Sequence, residues 1–161
     1  MIQNTPDFPP FIVREAYATD MDGLLNMGRR FTDETSQYGA TFSARQTKNT
    51  MSKFLLSPES TILVVQRGEA MLAGTMLAAQ AQFTEELFGY VVKFFVAPGA
   101  RGSGASRALL AASMEWFAEK RCRYVFATAA AAISPKQDRE FENLFAKFGF
   151  ASLGATMMRK I

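Results

Sequence analysis

The 161-residue sequence contains no histidine and a single cysteine, Cys122. Without histidine, neither a Ser-His-Asp triad nor a Cys-His pair can form, and no metal site can use an imidazole ligand. One cysteine excludes a disulfide within the chain and a zinc cluster built from thiolates. We therefore expect no metal, and the shortage of cysteine favours a reducing, cytoplasmic setting.

Long apolar runs and a strong charge imbalance are also missing. The formal net charge is only +3, and no uncharged stretch is long enough to cross a membrane. Residues 1–10 lack the basic start and apolar centre of a signal peptide. We expect no membrane association, and nucleic acid is not expected as a partner because no basic face is concentrated in the sequence. The length suits a single domain over residues 1–161.

The hydrophobic pattern predicts a mixed α/β fold. Its element order is β-α-α-β-β-β-α-β-α-β, which favours a largely antiparallel start followed by one parallel crossover. The predicted strands are 11–17, 61–66, 70–82, 88–97, 124–129 and one or two within 150–161. The predicted helices are 21–32, 43–56, one that begins after the turn at 98–106, and 134–147. The third helix is predicted to bury one stripe formed by Ala105, Ala108, Leu109, Ala112 and Trp116. Asp20 and Ser43 are predicted to cap the first two helices, and Gly149 is predicted to end the last one.

The segment 98–106 is the most informative part of the chain. It is a glycine-bearing turn between the strongest predicted strand and a helix. Such a turn exposes backbone N–H groups at the positive end of the helix dipole, which favours an anion such as a phosphate or pyrophosphate. Gly102 and Gly104 lack Cβ atoms, so an anion can approach the backbone closely.

Two common nucleotide motifs do not account for this turn. The dinucleotide fingerprint Gly-x-Gly-x-x-Gly would need glycine where Arg107 stands, and no acidic residue follows at the ribose position. A P-loop would need Gly-Lys-Ser/Thr, which is absent from the sequence. The turn is therefore predicted to bind an anion, and these motifs do not identify which one.

The stretch resembles motif A of the GCN5-related N-acetyltransferase (GNAT) family. That motif runs from a hydrophobic strand ending in Val-x-Pro, through Arg/Gln-x-x-Gly-x-Gly/Ala, into a helix with Leu-Leu. Residues 94–110 read Phe-Phe-Val-Ala-Pro-Gly-Ala-Arg-Gly-Ser-Gly-Ala-Ser-Arg-Ala-Leu-Leu, with Ser106 at the last small position. Residues 144–150, Leu-Phe-Ala-Lys-Phe-Gly-Phe, are similar to the family's Leu-Tyr-x-Lys-x-Gly-Phe. The long polar segment between the first two helices is similar to bacteriophage and prophage members.

The resemblance implies a GNAT fold, with a central splayed mixed sheet flanked by helices, and acetyl-CoA as co-substrate. It implies that the backbone of Phe94 and Val96 pairs with the pantetheine arm and that the N–H groups of residues 101–106 hold the pyrophosphate. The cofactor-binding residues carried over by position are Phe94, Phe95, Val96, Arg101, Gly102, Ser103, Gly104, Ala105, Ser106, Asp138 and Phe145.

The sequence departs from the family where acid–base chemistry is expected. Many members use a glutamate base on one of two strands, but the corresponding positions here are Tyr90, Lys93 and Ile133. Many members use a helix tyrosine to protonate coenzyme A, and Phe145 stands at that position. The candidate catalytic residues are Glu34 and Tyr90, with Glu85 and Glu86 as further carboxylates whose ordinary role would be solvated surface charge.

Two functions follow. The first is an N-acetyltransferase that moves an acetyl group to a primary amine by direct attack in a ternary complex, because no Cys-His pair exists to carry the acyl group. The second is a catalytically weak or inactive module of the same fold that binds coenzyme A or a partner. The sequence leaves the acceptor open between a small amine, a protein N-terminus, a lysine and an amino group on modified DNA. It also leaves monomer and homodimer open.

Overall fold

The computed structural model describes residues 11–35, 39–128, 134–154 and 159, which form one sheet with helices on both faces. The strands are β1 (Ile12–Glu15), β2 (Ser60–Arg67), β3 (Ala70–Gln80), β4 (Phe88–Val96) and β5 (Tyr124–Ala127). The helices are α1 (Met21–Glu34), α2 (Ala44–Leu56), α3 (Ala105–Glu119) and α4 (Pro135–Ala146). Among the described residues, no helix has the length and apolar character needed to span a membrane.

The sheet has the order β1-β2-β3-β4-β5. The first four strands pair antiparallel, and β5 pairs parallel to β4 after the crossover through α3. A parallel neighbour requires such a crossover because the chain must return to the same end of the sheet. The predicted antiparallel start and single parallel crossover are confirmed, and so is the mixed α/β class.

Two apolar cores lie on the two faces of the sheet. On one face, α3 and α4 cover Leu63, Val65, Leu77 and Val91. On the other face, α1 and α2 cover a second cluster formed by Ala16, Leu24, Met51, Ile62, Val64 and Met76. Alternate strand residues point to opposite faces, and this explains why the β2 side chains from Ile62 to Val65 are all buried.

Local capping explains where the helices begin and end. The Ser43 hydroxyl accepts from the N–H of Gln46 at 3.3 Å, and the Ser134 hydroxyl accepts from the N–H of Gln137 at 3.2 Å. Each bond satisfies one of the N–H groups that the first turn of a helix leaves unpaired. Gly149, with φ of +86°, follows α4 in the left-handed conformation that commonly terminates helices.

Helix α3 packs closely on the sheet at one glycine. A Cβ atom at Gly89 would lie 2.5 Å from Cδ1 of Phe117, so only glycine lets this ring lie over the strand. The buried side of α3 consists of Ala105, Leu109, Leu110, Ser113, Trp116 and Phe117. The sequence pattern placed Ala108 and Ala112 on this stripe, but both are only partly buried because the buried face is rotated toward Leu110 and Ser113.

The predicted closing strands at 150–161 are not found where the chain is described. Residues 150–154 have no strand structure, and residues 155–158, 160 and 161 lie outside the described part. The apolar residues after Gly149 suggested a strand, but Phe150 instead packs on Phe145 with ring centroids 5.0 Å apart. Its position is therefore set by the α4 core and not by a sheet ladder.

Asp20 has a different role from the predicted one. It stands directly before α1, but its side chain makes no capping bond to that helix. Its carboxylate instead binds the guanidinium of Arg14 on β1 at 2.7 and 2.9 Å and accepts from the N–H of Tyr17 at 2.7 Å. The bonds from Arg14 are the main reason why the pKa of Asp20 is lowered from 3.8 to about 2.

We expect Asp20→Asn to lower the free energy of unfolding by about 1 kcal/mol at pH 7, since the bidentate pair is only partly shielded from water. Because the folded-state pKa is depressed, this contribution is fully present above the ordinary carboxyl pKa. It is lost as the pH falls from about 4 through about 2. Urea unfolding at pH 7 and near pH 2 measures it, with Glu69→Gln in the exposed β2–β3 turn as the control. An equal effect of Asp20→Asn at both pH values would contradict the charge pairing.

Candidate functional site

Strand β4 is paired along one edge and only partly along the other. It pairs with β3 from Phe88 to Val96, but its parallel pairing with β5 covers only residues 88–91 against 124–127. Among the described residues, the β4 edge from Val92 to Val96 has no strand partner on the β5 side. Such an edge presents backbone N–H and C=O groups that can accept an extended ligand as an added strand.

A β-bulge lies where the two strands separate. Met76 pairs with Lys93 and the adjacent Leu77 pairs with Val91, so Val92 is the extra residue on β4. A bulge bends its strand and increases the local twist, and this one coincides with the end of the β5 pairing. The sheet is therefore splayed at Val92, as the resemblance implied.

The bulge also decides which face each of the next residues reaches. Phe94 lies against α4, with its ring centroid 5.8 Å from that of Phe141 and 5.5 Å from that of Phe145. Phe95 points to the opposite face, where its ring meets Phe31 of α1 edge-on at 6.1 Å. Lys93 lies on that same face, with its ammonium 4.9 Å from the centroid of the Phe31 ring. The side chains of the three consecutive residues 93–95 therefore contact helices on both faces of the sheet.

The loop before α3 has the geometry of an anion-binding turn. Gly102 and Gly104 have φ of +76° and +92°, in the left-handed region that favours glycine. The N–H of Ser103 donates to Ala100 O, and that of Ala105 donates to Ser103 Oγ. Within the described part of the chain, four N–H groups around them have no acceptor: those of Gly102, Gly104, Ser106 and Arg107. These donors lie at the positive end of α3.

Arg101 and Glu34 form an ion pair. The Arg101 Nη2 lies 2.5 Å from Glu34 Oε2, and its Nε donates to Val96 O at 3.2 Å. The pair joins the last residue of α1 to the loop that precedes α3. The side chain of Arg101 is therefore held toward α1, and the Glu34 carboxylate would have to leave this cation to act as a base.

Tyr90 lines a pocket of about 320 Å³ at the splay. Val91 and Val92 of β4, together with Ala127 and Thr128 at the end of β5, form the walls. The phenol oxygen accepts a hydrogen bond from Gln82 Nε2 at 2.6 Å, which leaves its own proton free to be donated. The ring stacks on Phe126 with centroids 5.7 Å apart, so the orientation of the phenol is fixed.

The remaining predicted positions lie on α4 or outside the described residues. Asp138 is in the first turn of α4, and its Oδ1 is shielded from water without a hydrogen bond among the described residues. Phe145 is buried in the apolar core and stacks on Phe141 with ring centroids 4.0 Å apart. Ile133 falls in residues 129–133, outside the described part. Glu86 pairs with Arg123 on the surface.

The sequence and the fold of this chain match known proteins. A family model described as the acetyltransferase (GNAT) family matches residues 27–150. The chain belongs to the GNAT family of acetyltransferases. The predicted family and fold are thereby confirmed, while the similarity to bacteriophage members stays a prediction. No curated protein sequence matches this GNAT chain.

Solved structures share the GNAT fold with this chain at low sequence identity. One is the aminoglycoside N-acetyltransferase AAC(6')-Iy in complex with coenzyme A, with a TM-score of 0.77, 12% identity and 97% of each chain covered. An integron cassette protein from the mobile metagenome of Cole Harbour Salt Marsh has a TM-score of 0.74 and 20% identity, over 92% of this chain and 89% of that one. A transcriptional regulator from Bacillus halodurans C-125 has a TM-score of 0.76 and 14% identity, over 94% of this chain and 100% of that one.

Three features of this GNAT domain were not predicted from its sequence: the bulge at Val92, the pair between Glu34 and Arg101, and a cavity between α1, α2 and the sheet. The bulge residue is a valine within a continuous apolar run, so no local signal marks it. The pair joins residues distant in sequence, and charge alone does not say which residues meet. The cavity depends on how the two helices lie on the strands.

Proposed function

We propose that this chain transfers an acetyl group from acetyl-CoA to a primary amine by direct attack in a ternary complex. The observation that carries the proposal is the continuous backbone surface formed by the free β4 edge and the anion turn. An extended arm with a pyrophosphate at its end is complementary to such a surface. The strand edge can form strand-like hydrogen bonds with the arm, and the turn can bind the anion. Membership in the GNAT family and the coenzyme A complex of a structural neighbour support the same ligand.

In this proposal the cofactor is held mainly by backbone groups. Phe94 offers its strand-edge N–H and C=O groups to the pantetheine arm, and Val96 offers its N–H, because the Val96 carbonyl already accepts from Arg101. The free N–H groups of Gly102, Gly104 and Ser106 bind the pyrophosphate. Asp138 and Phe145 lie on α4, whose side chains contact Phe94, and bound acetyl-CoA supplies the activated thioester carbonyl.

We assign Tyr90 the role of proton donor to the departing thiolate. Its oxygen already accepts from Gln82, so its own O–H can point to an acceptor in the adjoining pocket. The amine loses its proton to water or to a carboxylate, and Glu34 can serve only after it separates from Arg101. Most of the rate then comes from placing the amine against the thioester, an effect that can be large without a strong base.

The test is release of free coenzyme A thiol from acetyl-CoA over a panel of small amines and peptides, combined with thermal stabilisation by acetyl-CoA. We expect both stabilisation and amine-dependent thiol release. Stabilisation without turnover of any small-molecule or peptide amine would support the alternative, a non-catalytic module that binds coenzyme A. The absence of stabilisation would contradict both functions.

We expect Tyr90→Phe to lower kcat about 100-fold, within the range for loss of a general acid, while the Kd for acetyl-CoA stays the same. Steady-state rates measure kcat, and calorimetric titration with acetyl-CoA measures the Kd. Tyr124→Phe, an exposed phenol on β5 whose ring stacks on Phe88 and not on Phe126, is the matched control. An unchanged kcat in Tyr90→Phe would remove this residue from the chemistry.

A further inference from the structure

A cavity of about 290 Å³ lies between α1, α2 and the sheet, on the face opposite α3 and α4. This volume is close to the lower end of the about 300–1,000 Å³ that small-molecule sites occupy. Apolar side chains form most of its wall: Leu24, Met27, Phe31, Met51, Ile62, Met76 and Phe95. It extends the apolar cluster that α1 and α2 bury on this face, so its wall is suited to an apolar group.

The polar part of the wall consists of hydroxyl and amide side chains and one cation. The hydroxyl and amide residues are Thr32, Gln46, Thr47, Thr50 and Thr75. Lys93 is the one charged residue among the described residues of the lining, and no carboxylate is found among them. Its ammonium lies over the Phe31 ring and has no ion-pair partner within the described ranges. A carboxylate on a ligand would therefore meet a solvent-exposed cation with no competing ion pair among the described residues.

The cavity adjoins the splay because Lys93 follows the bulge residue directly. The carbonyl oxygen of Lys93 accepts from the Thr75 hydroxyl at 2.7 Å, and Thr75 is itself buried, so the backbone at this point is fixed. Phe95 lines the cavity while Phe94, between them, faces α4. The cavity thus lies on one face of β4, beside the strand edge proposed for the pantetheine arm.

We propose that this cavity binds the acceptor, and that the acceptor is an apolar primary amine that also carries a carboxylate, as a hydrophobic α-amino acid does. The apolar side chain occupies the cavity, the carboxylate pairs with Lys93, and the amine is directed toward the splay. This inference rests on the proposed acetyl transfer. In that step the amine nitrogen forms a bond to the thioester carbonyl carbon and the C–S bond breaks. The proton lost by the amine passes to solvent, Tyr90 protonates the departing thiolate, and the phenolate regains a proton from solvent.

The same lining argues against polycationic acceptors. Aminoglycosides carry several ammonium groups, which need carboxylates or other acceptors once water is removed. The described lining offers them a lysine and no carboxylate. We therefore expect this chain to differ in substrate class from the aminoglycoside acetyltransferases that share its fold.

The experiment compares L-phenylalanine with phenethylamine, which lacks only the carboxylate, and with sisomicin. We expect kcat/KM for L-phenylalanine to exceed that for phenethylamine by about tenfold, as one charge-assisted contact provides. Lys93→Met should reduce this ratio to about one. Thr50→Phe should fill the cavity and abolish turnover of L-phenylalanine, whereas Asn49→Phe, on the exposed side of α2, is the matched control.

Calorimetric titration with N-acetyl-L-phenylalanine separates this inference from the proposed reaction. Binding that Thr50→Phe abolishes and Lys93→Met weakens would support the cavity assignment even if no acetyl transfer occurred, in which case only the proposed function fails. Turnover of amines without a preference for the carboxylate, or a preference for sisomicin, would overturn the acceptor class and leave the acetyltransferase intact. The acceptor class would also be overturned if N-acetyl-L-phenylalanine did not bind and L-phenylalanine were not turned over.

Discussion

Gly104→Glu is expected to abolish the thermal stabilisation by acetyl-CoA, with a loss in affinity of at least about 100-fold. The new carboxylate would stand among the free N–H groups before α3 and compete for them with the pyrophosphate. It would also repel that anion at short range. Isothermal titration with acetyl-CoA and coenzyme A gives the two dissociation constants, and both should rise together because the pyrophosphate is common to both ligands.

Two variants separate this effect from loss of structure. Gly104→Ala introduces only the strain of a side chain at φ of +92°, which we expect to cost about 1 kcal/mol of stability and little affinity. Gly99→Glu adds the same charge at an exposed position of the preceding turn, where a Cβ atom meets nothing within 4 Å. Unchanged affinity for acetyl-CoA in Gly104→Glu would show that the anion binds elsewhere.

Deletion of Val92 is expected to close the splay and to lower the affinity for acetyl-CoA about 100-fold, while the domain stays folded. Val92 is the extra residue opposite Met76 and Leu77, so its removal makes the ladder between β3 and β4 regular. The side chains of Lys93, Phe94 and Phe95 stay on the same faces of the sheet after the deletion. This is because Val92, the residue removed, is the extra one that interrupts the alternation of side chains between the two faces. What changes is the bend that separates β4 from β5.

The control for this deletion is Val92→Ala, which keeps the bulge and removes only part of an exposed side chain. Far-ultraviolet circular dichroism and the melting temperature report on folding, and titration with acetyl-CoA reports on the cleft. A folded deletion variant that binds acetyl-CoA as well as the native chain would contradict the role of the bulge.

The pair between Arg101 and Glu34 is a feature that the motif around Arg101 does not predict. The spacing of Arg101, Gly102 and Gly104 predicted an anion turn, and the two positive φ values and the free N–H groups have the geometry expected of one. The spacing did not predict that the Arg101 side chain turns toward α1. A backbone conformation can be predicted from local residue types, because glycine alone enters the left-handed region easily. The partner of a long charged side chain depends on elements folded from distant parts of the chain.

The sequence by itself determined the element order as far as α4, the helix cap at Ser43 and the turn at Gly102 and Gly104, since all of these depend on local spacing and residue type. The tertiary structure alone decided the splay and the two faces of β4. Pairing with β3 makes Val92 a bulge, and the helices on either side then bury Phe94 and Phe95 in different layers. The same packing leaves Lys93 at the edge of an apolar cavity. Strand register and helix placement are set by the burial of many side chains at once, so no single motif in the sequence contains them.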